Sequence, residues 1–244
     1  MNAQLPRRAA ILGGMRIPFC RSNTAYVDVG NFGMSVKAVA SLVERYNLAG
    51  EELGEVALGA VIKHSSDWNL GREVTLSSGL SPRTPGITMA RACGTGLDTT
   101  IHIANKVALN QIDAGVAGGS DTTSDVPIVY SKEFGSRILA TARAKSLQQR
   151  AVAWKGFGVG ELKPHFPGVA EPRTGKSMGD HCESMAKEWG IPREDQDRIA
   201  LASHQKAAAA YDRGFHDDLV VEFRGVKRDN NLRPDTSLEK LGQL

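Results

Sequence analysis

Three short runs constrain this chain more than anything else in it: "EVALGAVI" (55–62), "GITMARAC" (86–93) and "AGVAGG" (114–119). None alternates strictly between polar and apolar positions: the first reads as a buried strand, the second as the next strand candidate and the third as another apolar strand. Helical patterns separate them. "LGREVTLSSGL" reads as a short helix stopped by Gly79, and "GLDTTIHIANKVALNQIDAG" as a longer one with Leu97, Ile101, Ala104 and Ala108 on one face. Upstream, Val36, Val39, Leu42, Val43 and Tyr46 form a helical stripe that ends at Gly50, and "RRAAILGGMRIPF" reads as a first short strand broken at Gly13–Gly14. Strands alternating with helices over residues 1–121 predict an α/β unit around a largely parallel sheet.

The pattern changes after Asp121, where the reading places a boundary between a first part, 1–121, and a second, 122–244. Residues 136–177 are basic, punctuated by Gly and Pro, and poor in strand pattern, as expected of an inserted loop region. Two helices follow, "MGDHCESMAKEWG" and "PREDQDRIALASHQKAAAAYDRG". The second has Pro192 suited to a first turn, Glu194 and Asp195 favourable to the helix dipole, and Gly214 as a stop. Near the end, Thr236 and Glu239 form a capping-box pattern that announces one more helix.

Composition excludes several classes. Thirty basic against twenty-seven acidic residues give +3, too mild to imply nucleic acid. No window approaches the roughly 20 apolar residues of a membrane span, and "MNAQLPRRAAILGG" lacks the apolar core of a secretory signal. Three widely spaced cysteines, Cys20, Cys93 and Cys182, predict free thiols in a reducing, cytoplasmic compartment rather than a disulfide framework or a zinc site.

Cys93 sits where an apolar strand turns into a helix, followed by Gly94 and Gly96. A helix N-terminus offers unpaired N–H groups and a positive dipole end, both of which favour a thiolate nucleophile. The flanking glycines would let a substrate approach the backbone, and the Cys93 N–H could serve as an oxyanion donor. The alternative is a small buried hydrophobe, the commonest fate of a free cysteine. Local sequence leaves both readings open.

Two longer blocks decide between them. "CGTGLDTTIHIANKVALNQIDAGVAGGSDTTSDVPI" resembles the nucleophile segment of the thiolase family: cysteine, glycine turn, helix, Ala-Gly-Gly strand, then a Ser-x-x-Pro loop. "MGDHCESMAKEWGIPREDQDRIALASHQKAAAAYDRGFHDDLV" is similar to the family's second signature. The Ser-Asp-Val-Pro-Ile ending resembles the fatty-acid-oxidation branch related to the trifunctional enzyme β subunit. The sequence departs from the common pattern at Ala90, at Asp121–Thr123 and at the adjacent Gly214–Phe215. The Gly-His-Pro histidine, the Cys-x-Gly-Gly-Gly cysteine and the Asn-containing loop of the family's second half have no match here, so the resemblance is to the N-terminal half.

The resemblance implies a layered thiolase-like fold: one α/β half with a mostly parallel mixed sheet, carrying the nucleophile, plus an inserted loop domain. It implies an acyl-CoA C-acyltransferase that works through an acyl-Cys93 intermediate, in 3-ketoacyl-CoA thiolysis or acetoacetyl-CoA synthesis. Coenzyme A is then substrate rather than a covalently bound cofactor, with no metal. The basic run "FRGVKRDNNLR" would supply Arg224, Lys227 and Arg228 to the ligand's phosphates, and Ser177 and Met178 match the loop beside the pantetheine arm. Expected partners are a second copy in a homodimer or higher oligomer and a β-oxidation α subunit, in fatty acid metabolism. As a half, the chain is expected to be truncated and inactive in turnover. The alternative is a non-catalytic acyl-CoA-binding or scaffold protein that keeps the fold without the chemistry.

Other candidates are weaker. His102 lies nine residues along the helix from Cys93, on the opposite face and about 13 Å away. His64 follows the strand "EVALGAVI" and is better placed if strand ends converge. His165, His181, His204 and His216 carry no motif. Cys182 shares a helix face with Met178, Ala186 and Trp189 and reads as core, while Cys20 lies in a loop with Arg21 as its basic neighbour.

Overall fold

The computed structural model describes residues 7–166 and 168–244. The first six residues, which begin the stretch read as carrying no secretory signal, lie outside the described residues. The chain divides into two compact units: the residues up to Asp125 together with Met185–Leu244, and Val126–Ser184. The second unit is thus inserted into the first, where the sequence pattern suggests one boundary after Asp121.

In the first unit, α1 (Asn31–Arg45), β1 (Glu55–Gly59), α2 (Leu70–Ser77), β2 (Gly86–Met89), α3 (Thr95–Ala108) and β3 (Gly115–Gly119) follow one another in strand–helix alternation. The strands form a parallel sheet in the order β2-β1-β3, with Gly59 opposite both Met89 and Gly119. β1 is buried along its whole length. Its Val56 and Leu58 join Val39 and Val43 of α1, Leu70 and Val74 of α2, and Val116 of β3 in one apolar cluster. Fully burying such a side chain contributes about 1.5–3 kcal/mol. On the other face Glu55 bonds to α3 through His102 and Lys106. The sheet therefore lies between α1 and α2 on one side and α3 on the other, which is the cover that parallel strands require.

Two expectations are corrected here. Residues 7–15 form no strand; Ile11 and Leu12 are 83% and 85% exposed, and only Arg16 makes an isolated bridge, to Val220. An apolar run becomes a strand only when its backbone finds a partner. The second correction concerns α3, which does not bury Leu97 and Ile101; it buries Thr95, Thr99 and Ile103. The reason is close approach to glycine. A Cβ on Gly115 would lie 3.0 Å from Ile103, and one on Gly59 would lie 2.0 Å from the Thr95 methyl.

α7 (Arg193–Asp212) and α8 (Leu238–Gly242) return to the first unit and pack together, with Arg193 donating to the Leu241 carbonyl at 2.6 Å. The α8 cap is Ser237, which accepts from the Lys240 N–H, one residue later than the Thr236 expected. Gly79 and Gly214 both take the left-handed conformation beyond their helices, as stop signals do.

The second unit holds α4 (Lys132–Arg143), α5 (Leu147–Ala153) and a 3₁₀ turn (Val159–Leu162); α6 (Met178–Glu188) begins in it. Phe134 contacts Tyr130, Trp154 and Phe157, forming an aromatic centre. Arg137 binds Glu161 with both a 2.8 and a 3.1 Å hydrogen bond and donates to the carbonyls of Ala153 and Lys155. Among the described residues no helix is long and apolar enough to cross a membrane.

Candidate active site

The three parallel strands end level, at Gly59, Met89 and Gly119. Ligands of open α/β sheets collect beyond such carboxyl ends. The chain that leaves β1 is fixed there by Asp121, whose carboxylate accepts the N–H groups of Val61 and Ile62. The Ser120 hydroxyl lies 2.8 Å from that of Ser35 and donates to the Asn31 carbonyl.

Beyond β2 the chain turns sharply into α3, and Cys93 occupies that turn. Ala92 holds φ +42°, a left-handed conformation that costs a residue with a Cβ roughly 1–3 kcal/mol. The turn is tied in several places. The Gly94 N–H donates to the Arg91 carbonyl at 3.0 Å, and the Thr95 N–H to the Ala92 carbonyl at 3.2 Å. The Thr95 hydroxyl accepts from the Arg91 N–H and donates to the Ala92 carbonyl, both at 2.7 Å. Outside, the Arg91 guanidinium meets Asp98 of the first helical turn at 3.0 Å.

Cys93 is exposed, one residue ahead of the α3 N-cap. That cap is Gly94, which provides no side-chain acceptor, so the cap residue itself places nothing over the helix end beside the thiol. A Cβ at Gly96 would meet nothing within 4 Å. An accessible sulfur, a helix N-terminus and an open glycine surface are what nucleophilic attack on a carbonyl requires. The buried-hydrophobe alternative for Cys93 is excluded by its exposure.

The other cysteines differ. Cys20 is half-buried beside Tyr26; burial pushes both its thiol and the Tyr26 hydroxyl above their ordinary pKa. Both side chains line a cavity of about 320 Å³ with Arg16, Met34, Ser120 and Thr123, and Cys93 does not line it. Cys182 corrects the core reading: it is exposed, as are Met178 and Trp189, and of that helical face only Ala186 is buried. Apolar periodicity marks a face that can be covered without saying that anything covers it.

Among the histidines, His102 lies as expected away from Cys93: its Nε2 is 2.6 Å from Glu55, at the start of β1 and so at the opposite end of the sheet. His64 is held by Asp125, Nε2 to Oδ1 2.9 Å, in the loops that leave β1 and β3. Among the described residues no hydrogen bond joins Cys93 to a histidine or to another cysteine.

The basic run is built on a two-residue hairpin. Phe223 and Val226 exchange both backbone hydrogen bonds, and Arg224 and Gly225 between them both have positive φ, the geometry of a type I′ turn. Arg224 reaches Asp28 at 3.5 Å, Lys227 reaches Glu222 at 3.6 Å, and Arg228 reaches Asp212 at 3.4 Å while lying over the Tyr211 ring. All three cations stay largely exposed. Ser177, in the second unit, precedes α6 and exchanges bonds with Asp180, its hydroxyl donating at 2.7 Å to the carboxylate. That bonding holds the Asp180 carboxyl below its ordinary pKa. Met178 is exposed. Among the described residues no hydrogen bond or ion pair joins Arg224, Lys227 or Arg228 to Cys93.

Sequence reasoning missed Thr95, Ala92 and Asp98. A hydroxyl residue two positions after a cysteine at a strand–helix junction is the one local signal that could have found the first.

The profile of the thiolase N-terminal domain matches residues 9–244. The 3-ketoacyl-CoA thiolases of Yersinia pestis (strain Pestoides F) and of Yersinia pseudotuberculosis serotype O:3 (strain YPIII) are each 34% identical over 97% of the chain. The chain spans 56% of the length of these relatives. Among solved structures, the Bacillus anthracis acetyl-CoA acetyltransferase superposes with a TM-score of 0.78 at 25% identity, covering 98% of this chain and 59% of that one. Human mitochondrial 3-ketoacyl-CoA thiolase in complex with CoA gives 0.79 at 22% identity, a likeness of fold, covering 98% and 58%. With the thiolase N-terminal domain matched over residues 9–244 and relatives 34% identical over 97% of its length, the chain belongs to the thiolase family and corresponds to that family's N-terminal domain.

Proposed function

We propose that the chain carries the nucleophile half of a thiolase-type acyl-CoA C-acyltransferase. The Cys93 sulfur attacks the 3-keto carbon of a 3-ketoacyl-CoA, forming a C–S bond. The C2–C3 bond breaks, its electron pair passes to C2, and protonation there releases acetyl-CoA. The acyl group remains on Cys93 as a thioester until a second coenzyme A thiol displaces it. Run in reverse, the same steps make acetoacetyl-CoA. The observation that carries this reading is the exposed Cys93 on a left-handed turn at the N-terminus of α3, in a chain of this family.

Coenzyme A enters as substrate, with Arg224, Lys227 and Arg228 as phosphate partners and Ser177 and Met178 beside the pantetheine arm. The setting is cytoplasmic fatty acid β-oxidation, in a homodimer or higher oligomer, with an α subunit as further partner. The histidine and second-cysteine motifs that the resemblance assigns to the family's second half have no match in these 244 residues, so the reading expects them alone to perform acylation without turnover. Losing general acid–base help costs ~10²–10⁴ in rate.

The test is incubation with acetoacetyl-CoA, followed by intact mass and peptide mapping. The expected result is acetylation on the Cys93 peptide, absent from Cys93→Ser, with no continuing consumption when coenzyme A is added. No acetylation with retained coenzyme A binding would replace this reading with that of a non-catalytic binding half. Sustained turnover would overturn the half-reaction.

A further inference from the structure

We propose that Thr95 is a positioning residue for Cys93, the buttress that keeps the thiol presented on its turn. The inference rests on the reading of Cys93 as nucleophile. Among the described residues the Thr95 hydroxyl is the only side-chain group that bonds to the backbone on both sides of Ala92. It accepts from the Arg91 N–H, which belongs to the peptide group before Arg91, and donates to the Ala92 carbonyl, which belongs to the peptide group after Ala92. The backbone torsions of Arg91 and Ala92 lie between those two peptide groups. One hydroxyl therefore spans the segment that contains the left-handed residue, and Cys93 begins where that segment ends.

The hydroxyl can do this because its own position is fixed. Thr95 is 5% exposed, and its β-branched side chain has few rotamers open to it in a helix. Its methyl occupies the space that a side chain at position 59 would need, since a Cβ on Gly59 would come 2.0 Å from it. Gly59 ends the central strand, so the turn is referenced to the most buried element of the fold. Arg91–Asp98 is a second tie, but Arg91 is 73% exposed, and an exposed pair of that kind holds geometry weakly.

The test compares Thr95→Val, which keeps the shape and loses both bonds, with Thr95→Ser, which keeps the hydroxyl. The readout is iodoacetamide labelling of folded protein, mapped by peptide, with the exposed Cys182 as internal reference. Thr95→Val is expected to lower the Cys93 rate relative to Cys182 by about 10-fold, since thiol reactivity follows access and the field of the helix end. Thr95→Ser is expected to restore it to within about threefold. A Cys93-to-Cys182 ratio unchanged in Thr95→Val, or a ratio that Thr95→Ser fails to restore, would overturn the proposal. Amide hydrogen exchange of the unmodified chain keeps it falsifiable if the valine variant does not fold. The Arg91 N–H is expected to be protected, and exchange at an unprotected rate refutes the role. Acetylation by acetoacetyl-CoA is measured separately. Its failure with the labelling ratios as expected removes the acyltransferase reading and leaves the buttress standing.

Discussion

Arg16 and Asp229 meet through two hydrogen bonds of 2.7 and 3.0 Å. The same carboxylate accepts the Phe19 N–H at 2.7 Å, and the Arg16 guanidinium lies 4.6 Å from the Phe19 ring centroid. Backbone bonds run alongside: Arg16 N–H to the Leu219 carbonyl, Val221 N–H to the Arg16 carbonyl, and Asn230 N–H to the Phe19 carbonyl. One ion pair thus closes the loop that leaves the N-terminal segment onto the segment that follows α7.

Burial alone would raise the Asp229 carboxyl, but the bonds from Arg16 and Phe19 outweigh it and hold it below the ordinary carboxylate pKa. A depressed folded pKa means stability that is present above the unfolded value of about 3.9 and lost as pH falls through the folded value. Asp229→Asn removes the charge and leaves Arg16 poorly compensated. The expected cost at neutral pH is about 1.5–3 kcal/mol, the range for charged hydrogen bonds, seen as a Tm lower by roughly 3–12 °C. The difference between variant and parent should shrink below pH 4. A gap that persists at pH 2.5 would assign the effect to packing instead.

Glu55 provides the corresponding test at the far end of the sheet. It is nearly buried, and its Oε2 lies 2.6 Å from His102 Nε2 and 2.8 Å from Lys106 Nζ. Desolvation would raise its pKa, yet the bonds from Lys106 and His102 leave it lowered. The sign is as for Asp229: the contribution is held above the unfolded pKa of about 4.3 and disappears as pH falls through the folded value. Glu55→Gln should therefore destabilise the chain by ~1–3 kcal/mol at pH 7 and leave Cys93 labelling unchanged, since Cys93 lies beyond the other end of the strands. Urea titrations at pH 7 and pH 3 measure the first, and peptide-mapped alkylation the second. A drop in Cys93 labelling in a folded Glu55→Gln protein would contradict the separation of the two ends.

How far the fold could be read in advance depends on what each signal measures. β1 was legible because a strand buried along its length leaves a continuous apolar run; β2 and β3 left the same kind of run although only Val116 of the two is buried, and α1 was legible because its stripe holds the buried Val39 and Val43. The covered face of α3 was not. Large side chains dominate a periodicity reading, while this helix docks through Thr95, Thr99 and Ile103 against glycines, leaving Leu97 68% exposed. The N-terminal run failed as a strand for a non-local reason: pairing depends on a partner that its own residues do not specify. At the site, Cys93 could be found from its glycines and its place at a strand–helix junction. The conformation of Ala92 could not, because nothing in an alanine announces a left-handed backbone.

The basic hairpin yields the last prediction. Arg224, Lys227 and Arg228 are each paired with a carboxylate at 3.4–3.6 Å and each is more than half exposed. Such pairs are worth about 0–1 kcal/mol, so exchanging Asp28 or Glu222 for a ligand phosphate costs little. Alanine at position 224 inherits the same left-handed backbone as the arginine it replaces, so the variant tests charge rather than turn geometry. If these cations meet the phosphates of coenzyme A, Arg224→Ala with Lys227→Ala should weaken binding about 2- to 30-fold at low salt, summing two exposed pairs at up to ~1 kcal/mol each. The deficit should narrow toward 1 M salt, where the Debye length falls to about 3 Å. Arg143→Ala, an exposed cation of α4 in the other unit, is the control and should bind as the parent does. Calorimetry at two salt concentrations reads all three proteins. Equal affinity for the double variant and the control at low salt would return the run to plain solvated surface, whatever Cys93 is found to do.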